Sequence, residues 1–291
     1  SGFSYWWMTL LIEKCNYSKS PQIDTIIKLM MFNKWIEDKI YSQTFLVTTN
    51  RELASSMNII TNNLSIVFVP EKTESKKFTK GIIRTLYHRL PNILKSIVYL
   101  THYLMERWRL KGIYVDRWQN STATTSFVSY FFNIDLDYAN KNKYKSKYWS
   151  VLPDVLEKNY IKTNWLHIYV KSENFPTVES AKKLIMRFNQ TYQGKQTHLL
   201  LDAFLSFKVV RQTVVSWLDV SVKYIIIRRG IKNKVGYLWP LFRNDLSTSL
   251  VGEIAIQNLL FYYMYKRAMK LLPTQKKGVY LQENQGWEFG F

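Results

Sequence analysis

Residues 165–170 read Trp165-Leu166-His167-Ile168-Tyr169-Val170, an aromatic and β-branched run that predicts a buried strand. The segment 177–190 comes soon after it. Its apolar residues recur three and four positions apart, which predicts an amphipathic helix. A buried strand followed by a helix is the repeating part of a parallel βαβ unit. This stretch therefore predicts an α/β fold, a Rossmann-like parallel sheet with flanking helices.

Other predicted strands and helices alternate along the chain in the same way. Strands are expected at 44–48, 64–69, 126–134 and 278–281, and helices at 52–57, 81–111, 199–218 and 249–272. The segment 220–228 is compatible with either a strand or a helix end. Pro273 is expected to end the last helix.

The composition favours a folded chain with an anionic partner. The 291 residues are 47% hydrophobic, and 41 Lys and Arg against 21 Asp and Glu give a formal net charge of +20. A phospholipid surface, a nucleotide sugar or a nucleic acid would suit that charge. Codon bias in an AT-rich genome is an equally good explanation, because the excess Lys comes with many Asn, Ile and Tyr. The single cysteine, Cys15, excludes an intramolecular disulfide and favours a reducing cytoplasm.

Neither end of the chain has the features of a natural terminus. The sequence opens at Ser1 without a Met and closes at Phe291 just as a new apolar segment begins. We therefore expect a piece cut at both ends from a longer protein. The apolar run 254–265 is far shorter than the roughly 20 residues that span a bilayer, so no membrane crossing is predicted. No export signal is found at the start.

The last predicted strand runs into a polar junction that contains Glu283, Asn284, Gln285 and Glu288. Ligand crevices of α/β proteins form where the carboxyl ends of strands meet the amino ends of helices. A Glu in such a place can act as a general base or hold a sugar hydroxyl. Carboxylates that only complement a helix dipole explain Glu283 and Glu288 as well.

Three blocks of the sequence resemble a family of bacterial surface-carbohydrate biosynthesis proteins, glycosyltransferases of the two-Rossmann-domain (GT-B) kind. The blocks are 2–14 (GFSYWWMTLLIEK) with 19–21, 130–135 (YFFNID) with 146–149 and 165–167, and 280–288 (YLQENQGWE). The resemblance implies that residues 1–245 form a Rossmann-like acceptor-side domain. Residues 246–291 would then be a connecting helix and the first strand of a truncated second domain.

The resemblance also implies an activity. The full-length protein would transfer a sugar from a nucleotide-sugar donor to a surface glycan, lipopolysaccharide or capsule, or to a lipid-linked acceptor. Glu283 or Asp135 would deprotonate the acceptor hydroxyl. The donor would bind mainly in the missing half, so the fragment is expected to hold no cofactor or metal and to be inactive alone.

Further residues are candidates for substrate binding. Ser4 and Tyr5 stand before two adjacent tryptophans and would approach an acceptor, with Trp7 expected to face the core. His167 would reach a strand end, although such a residue is more often a satisfied core histidine. Together with the polar junction, the substrate-binding candidates are Ser4, Tyr5, His167, Asn284, Gln285 and Glu288.

Asp135 and Asp137 match the DxD pattern with which single-domain glycosyltransferases hold a divalent metal. Because Asp is a preferred turn residue, a solvated strand end or turn is the favoured interpretation. No metal site is predicted from this pair. The four histidines also lack metal-ligand spacing.

The predicted helix within 80–111 joins an apolar stripe to many basic residues. This pattern is typical of a helix in an anionic membrane interface, and equally of a core-facing helix with a solvated basic side. Membrane-surface contact is predicted for Arg84, Arg89, Lys95, Arg107, Trp108 and Arg109. The expected location is the cytoplasm, with peripheral attachment to the inner face of the cytoplasmic membrane.

A basic nucleic-acid-binding module is the alternative to a glycosyltransferase. The charge of +20, the basic loop 141–147 and the many Tyr and Trp favour it. The basic residues are dispersed, however, and no helix-turn-helix, RNA-recognition or zinc motif is present. A nucleic-acid partner is therefore the less favoured prediction.

Overall fold

A computed structural model describes residues 4–14, 21–37, 46–63, 87, 89–283 and 285–290. The chain folds as two units, each built from segments that are distant in sequence. A helical unit consists of Ser1–Val98, Ser216–Gln257 and Asn284–Phe289. A sheet unit consists of Tyr99–Val215, Asn258–Glu283 and Gly290–Phe291. The domain boundary that the sequence suggested at residue 245 falls inside a segment of the helical unit.

Short 3₁₀ turns lie between several of the α-helices of the described residues. They are α1 (Leu10–Lys14), α2 (Pro21–Glu37), α3 (Arg51–Asn63), α4 (Asn92–Arg107), α5 (Val115–Gln119), α6 (Leu136–Asn140), α7 (Leu152–Lys158), α8 (Val178–Thr191), α9 (Phe207–Val235), α10 (Trp239–Leu250) and α11 (Glu253–Leu271). Local sequence fixes several starts. Asn50 Oδ1 accepts hydrogen bonds from the backbone N–H of Glu52 and Leu53, at 3.0 and 3.1 Å, and so caps α3.

The described residues of the sheet unit form a four-stranded sheet at its centre. Its strands are β1 (Thr125–Tyr130), β2 (Thr163–Ile168), β3 (Gln196–Leu200) and β4 (Lys277–Tyr280). They run in the order β3-β2-β1-β4, and every neighbouring pair is parallel. Every residue of β1 and β2 is buried, as expected of strands that helices cover on both faces. The protein is therefore a mixed α/β protein with an all-parallel sheet and flanking helices.

The core of the sheet unit is aromatic. Phe127 of β1 stacks on Trp165 of β2, with ring centroids 4.2 Å apart. The apolar side of α8, including Ala181 and Phe188, packs into the same cluster. Thr177 caps this helix by accepting a hydrogen bond from the backbone N–H of Ser180 at 3.2 Å. Each large side chain buried here contributes about 1.5–3 kcal/mol to folding, so this packing fixes the strands that carry the site described below.

Smaller clusters hold the helical unit together. Leu29 of α2, Met57 and Ile60 of α3 and Leu241 of α10 are buried against one another. A second cluster joins Tyr224 of α9 to residues of α10. The apolar residues of α3 that face this core recur at helical spacing, so its amphipathic pattern determines which face is buried.

The structure corrects several predicted elements. The stretch 199–218, predicted as one helix, contains the end of β3, a 3₁₀ turn at Leu201–Phe204 and the start of α9. The segment 220–228 is the middle of α9, and 249–272 is divided between α10 and α11. The described end of 44–48, residues 46–48, is not a strand, whereas 64–69 lies outside the described residues. The resemblance assigned residues 277–280 to a second domain, but they pair with residues 125–128 of β1 in the same sheet.

None of the helices in the described ranges combines the length and the apolar character that are needed to cross a bilayer.

Candidate functional site

The strand order creates one distinctive place in the sheet. The chain proceeds from β1 outward to β2 and β3, then returns across the sheet to place β4 on the other side of β1. Because the strands are parallel, their carboxyl ends share one edge. In open α/β sheets, ligands bind in the crevice at that edge where the strand order reverses. Here the reversal lies between β1 and β4, and we call the carboxyl ends of these two strands the switch point.

Aromatic and amide side chains follow β1 at the switch point. Tyr130 ends the strand, and its ring stacks on that of Phe132 with centroids 5.1 Å apart and planes 19° apart. Phe132 is exposed, whereas Phe131 between them is fully buried in the core. Asn133 is half-buried at the end of the same 3₁₀ turn. An exposed aromatic ring and a half-buried amide therefore follow β1 at the switch point.

Glu283 follows β4 on the other side of the switch point. The last paired residues of the two strands are Val128 and Tyr280, so Tyr130 and Gln282 come two residues after that pair on their respective chains. Leu281 is buried and anchors the chain there, whereas Gln282 is exposed and Glu283 half-buried. A carboxylate that follows the carboxyl end of a strand can accept a proton or a hydroxyl hydrogen bond from a ligand in the crevice.

Asp135, the second predicted catalytic residue, caps a helix. Its Oδ1 accepts a hydrogen bond from the backbone N–H of Asp137 at 3.1 Å, and its own backbone N–H donates to Lys145 O at 2.9 Å. Asp137 lies in the first turn of α6 and is exposed. The described residues contain no group of three or more His, Cys, Asp or Glu that could hold a metal ion. The DxD pair thus forms the turn that the sequence favoured.

His167 lies inside the sheet. It is fully buried in β2, and its Nε2 lies 3.1 Å from Nδ1 of His198 in β3. The planes of the two imidazole rings are almost parallel. Nε2 of His198 lies 3.0 Å from Oε1 of Gln196, an amide oxygen that can only accept a hydrogen bond. His198 therefore carries its proton on Nε2, and its Nδ1 accepts a hydrogen bond from Nε2 of His167. Burial lowers the pKa of His167 to about 3, and burial and His167 together lower the pKa of His198 well below its ordinary value. Both rings are neutral and belong to the core.

Arg107, predicted to face a membrane, is buried against Asp202 instead. Its Nη1 donates to Asp202 Oδ1 at 3.2 Å and to Tyr169 O at 3.1 Å, and the guanidinium lies between the rings of Tyr103 and Tyr169. The Tyr103 hydroxyl donates to the same carboxylate. Burial opposes the charge of Arg107, but Asp202 and Tyr103 outweigh it and raise its pKa above the ordinary value. The carboxylate that follows the carboxyl end of β3 is therefore paired with a guanidinium.

The remaining predicted membrane residues are dispersed. The rings of Trp108 and Phe207 contact each other with centroids 4.9 Å apart and planes tilted by 58°, and Arg109 is exposed. Arg89 is exposed before α4, and Lys95 is half-buried within it. Arg84 lies outside the described residues.

Ser4 and Tyr5 lie in the helical unit. Ser4 is exposed, and the Tyr5 hydroxyl donates to Ser249 O at 2.8 Å, where burial raises its pKa. Trp6 and Trp7 are both exposed, so the expectation that Trp7 faces the core is wrong, and Met8 is the buried residue of this turn. These contacts give Tyr5 a structural role in holding the 3₁₀ turn.

Two further predicted residues also belong to the helical unit. Glu288 Oε1 accepts a hydrogen bond from the backbone N–H of Gln285 at 3.0 Å, which closes the last 3₁₀ turn. Asn284 lies outside the described residues.

The sequence did not indicate three residues at this edge as site residues: Asp202, Phe132 and Asn133. Asp202 follows β3, and the assignment of 199–218 to a helix concealed the strand end that would have identified it. Phe132 lies within one of the blocks that carry the family resemblance, but only the strand order identifies its turn as part of a crevice.

Comparison of the chain with family models, with curated proteins and with solved structures gives no match.

Proposed function

We propose that the chain is the acceptor-side part of a GT-B-like glycosyltransferase that acts in bacterial surface-carbohydrate synthesis. The observation that carries the proposal is the switch point, where an exposed aromatic ring and a carboxylate follow adjacent parallel strands. Two of the blocks that resemble the family, 130–135 and 280–288, contain these residues. A sugar ring stacks on an aromatic face, and a carboxylate beside it serves as its hydrogen-bond partner.

The chemistry follows from these side chains. An acceptor hydroxyl must lose a proton as it attacks an activated sugar, and Glu283 is the base that we assign to this step. Phe132 and Asn133 orient the acceptor. A nucleotide-sugar donor, bound by another part of the full-length protein, supplies the sugar. The bond between its anomeric carbon and the phosphate oxygen breaks as the acceptor oxygen attacks, and the nucleoside diphosphate departs as the leaving group.

The test is binding of surface glycans to the purified 291-residue chain. Immobilised lipopolysaccharide oligosaccharides and capsule oligosaccharides are the probes. We expect Glu283→Gln to weaken binding at least about tenfold, because it removes a charge-assisted hydrogen bond. Phe132→Ala should weaken it further by removing the stacking surface.

Glu179→Gln is the matched control, because Glu179 is a partly exposed carboxylate in the first turn of α8. It should bind glycans like the unaltered chain. Circular dichroism melting checks that every variant is folded. Equal binding by Glu283→Gln and the unaltered chain, or no binding of either glycan class by the unaltered chain, contradicts the proposal.

A further inference from the structure

The helical unit carries an exposed apolar stripe on α9. Leu218, Val222, Ile225 and Ile226 are 48%, 56%, 71% and 72% exposed. Their spacing of three and four residues places them on one side of the helix, away from buried Tyr224. Isolated exposed apolar residues are ordinary, but a contiguous stripe of this kind marks a contact surface.

Basic residues border the stripe. Arg229 follows Ile225 and Ile226 by four and three residues and therefore continues the same side of the helix. Lys223 lies beside the stripe, and its Nζ is 2.7 Å from Oδ2 of Asp219. Arg228 and Lys232, also exposed, lie on the flank nearest to Ile225. An apolar stripe with cationic flanks is the pattern of a helix that lies in the headgroup region of a bilayer.

A basic cleft opens on that flank. It has a volume of about 650 Å³, and three cationic side chains line it, Arg228 and Lys232 from α9 and Arg243 from α10. Ser55 and Asn58 of α3 add polar groups at its wall. Among the described residues that line the cleft, none is acidic. Ala54, Ile59, Trp239 and Pro240 complete the lining, so the cleft offers cationic groups to a phosphate beside an apolar wall.

We infer that the stripe and the cleft form one docking surface for an anionic phospholipid bilayer. Ile225 and Ile226 enter the headgroup region, while Arg228, Lys232 and Arg243 contact lipid phosphates. The net charge of +20 attracts the chain to a negative surface over longer distances. This surface lies on α9, not on the helix that the sequence indicated, and it does not depend on the proposed sugar transfer.

The test is co-sedimentation of the 291-residue chain with vesicles. Vesicles of phosphatidylcholine alone are compared with vesicles that also contain phosphatidylserine, and we expect binding to the anionic vesicles only. The double variant Ile225→Ser with Ile226→Ser should partition at least about tenfold more weakly, because two buried side chains are lost from the interface. Val151→Ser, at an exposed valine of the sheet unit, should leave partitioning unchanged.

A second pair of variants separates the cleft from the overall charge. Changing Arg228, Lys232 and Arg243 to Gln should weaken binding about a hundredfold. Changing Lys158, Lys183 and Arg187 to Gln removes the same number of positive charges from exposed positions of the sheet unit, and we expect less than about a threefold loss. Equal losses in the two triple variants would overturn the inference, because binding would then depend on net charge alone.

Other occupants of the surface would give different results. Suppose that sedimentation equilibrium shows a dimer for the unaltered chain and a monomer for the isoleucine variant, and that the unaltered chain does not bind vesicles. The stripe would then be the contact surface for a second copy of the chain. Salt-sensitive binding of single-stranded DNA without vesicle binding would assign the cleft to a nucleic acid. Either outcome overturns the inference. Circular dichroism melting checks that the variants remain folded.

Discussion

At the scale of single residues, the pairing of Arg107 with Asp202 shows how burial makes a charge dependent on its partner. The Arg107 side chain is 12% exposed, and that of Asp202 is 2% exposed. Removing one partner leaves an uncompensated charge in the interior, which costs about 3 kcal/mol. We expect Arg107→Gln to lower the free energy of unfolding by about that amount in urea titrations.

The double variant Arg107→Gln with Asp202→Asn should be less destabilised than Arg107→Gln alone. The amide oxygen of Asn still accepts from Tyr103, and no isolated charge remains. Lys223→Gln, which breaks the exposed pair with Asp219, is the control and should cost less than about 0.5 kcal/mol. Strictly additive losses in the double variant would contradict this account of the pair.

The buried histidines make the fold sensitive to acid. The pKa of His167 is lowered to about 3, and that of His198 also lies well below its ordinary value. In the unfolded chain both histidines have a pKa of about 6.5. As the pH falls below that value, the unfolded state therefore binds more protons than the folded state does. Their contribution to stability is therefore complete above about pH 6.5 and is lost as the pH falls towards 3.

Urea unfolding at a series of pH values between about 6.5 and 5.5 isolates this effect, because carboxylates are still ionised there. We expect the free energy of unfolding to fall with decreasing pH by up to about 1.4 kcal/mol per pH unit for each histidine. His102→Gln alters an exposed histidine of α4 and should leave the slope unchanged. A free energy that is constant over this range would show that the pair titrates normally in the folded protein.

At the scale of elements, the junction of α10 and α11 depends on a glycine. A Cβ on Gly252 would lie 2.7 Å from Thr248 Cα and 2.9 Å from Thr248 O, which are backbone atoms that cannot move aside cheaply. The backbone N–H groups of Val251 and Gly252 both donate to Ser247 O, at 2.9 and 3.0 Å. The absence of a side chain at Gly252 therefore allows the chain to turn tightly between the two helices.

We expect Gly252→Ala to destabilise the protein by about 1–3 kcal/mol, because the added methyl group overpacks the junction. Gly230→Ala is the matched control. Gly230 lies within α9 with open space around its Cβ position, so alanine there should stabilise the helix by about 0.5–1 kcal/mol. Thermal melting of the two variants tests the difference in sign, and a loss of the same size in both would refute it.

Elements whose own residues determine them could be predicted from the sequence. Strands β1 and β2 were predicted because aromatic and β-branched residues are bounded by polar segments, and α8 because its apolar residues have helical spacing. Strand β3 was missed because the mostly apolar residues 199–205 (LLLDAFL) lead into α9, and a short apolar run does not distinguish a strand from a helix. The valine- and isoleucine-rich middle of α9 was ambiguous for the same reason.

The candidate site was predictable only in part. Glu283 could be chosen because it follows a predicted strand, where α/β proteins place ligand groups. That Phe132 accompanies it depends on β4 pairing with β1, and this pairing depends on long-range packing that no local pattern encodes. The contact of His167 with His198 likewise depends on the pairing of β2 with β3, in which His198 lies opposite Trp165, two residues before His167.

At the scale of the whole molecule, the two units differ in how their cores are built. The sheet unit buries every residue of β1 and β2, and Phe127 and Trp165 of these strands lie in its aromatic cluster. The described residues of the helical unit form smaller clusters and carry an exposed stripe on α9. Local opening is governed by the apolar contacts that must be broken. Backbone amides in the two units should therefore exchange with solvent at different rates.

Hydrogen exchange followed by mass spectrometry tests this difference. We expect peptides that cover β1 and β2 to exchange at least about tenfold more slowly than peptides that cover residues 218–229 of α9, because only the strands are enclosed on both faces. Within the sheet, β4 should exchange faster than β1, since among the described strands β4 lies at an edge and its residues are mostly exposed. Equal protection of α9 and β2 would mean that the two units open as one cooperative structure, and that the exposed stripe does not weaken the helix that carries it.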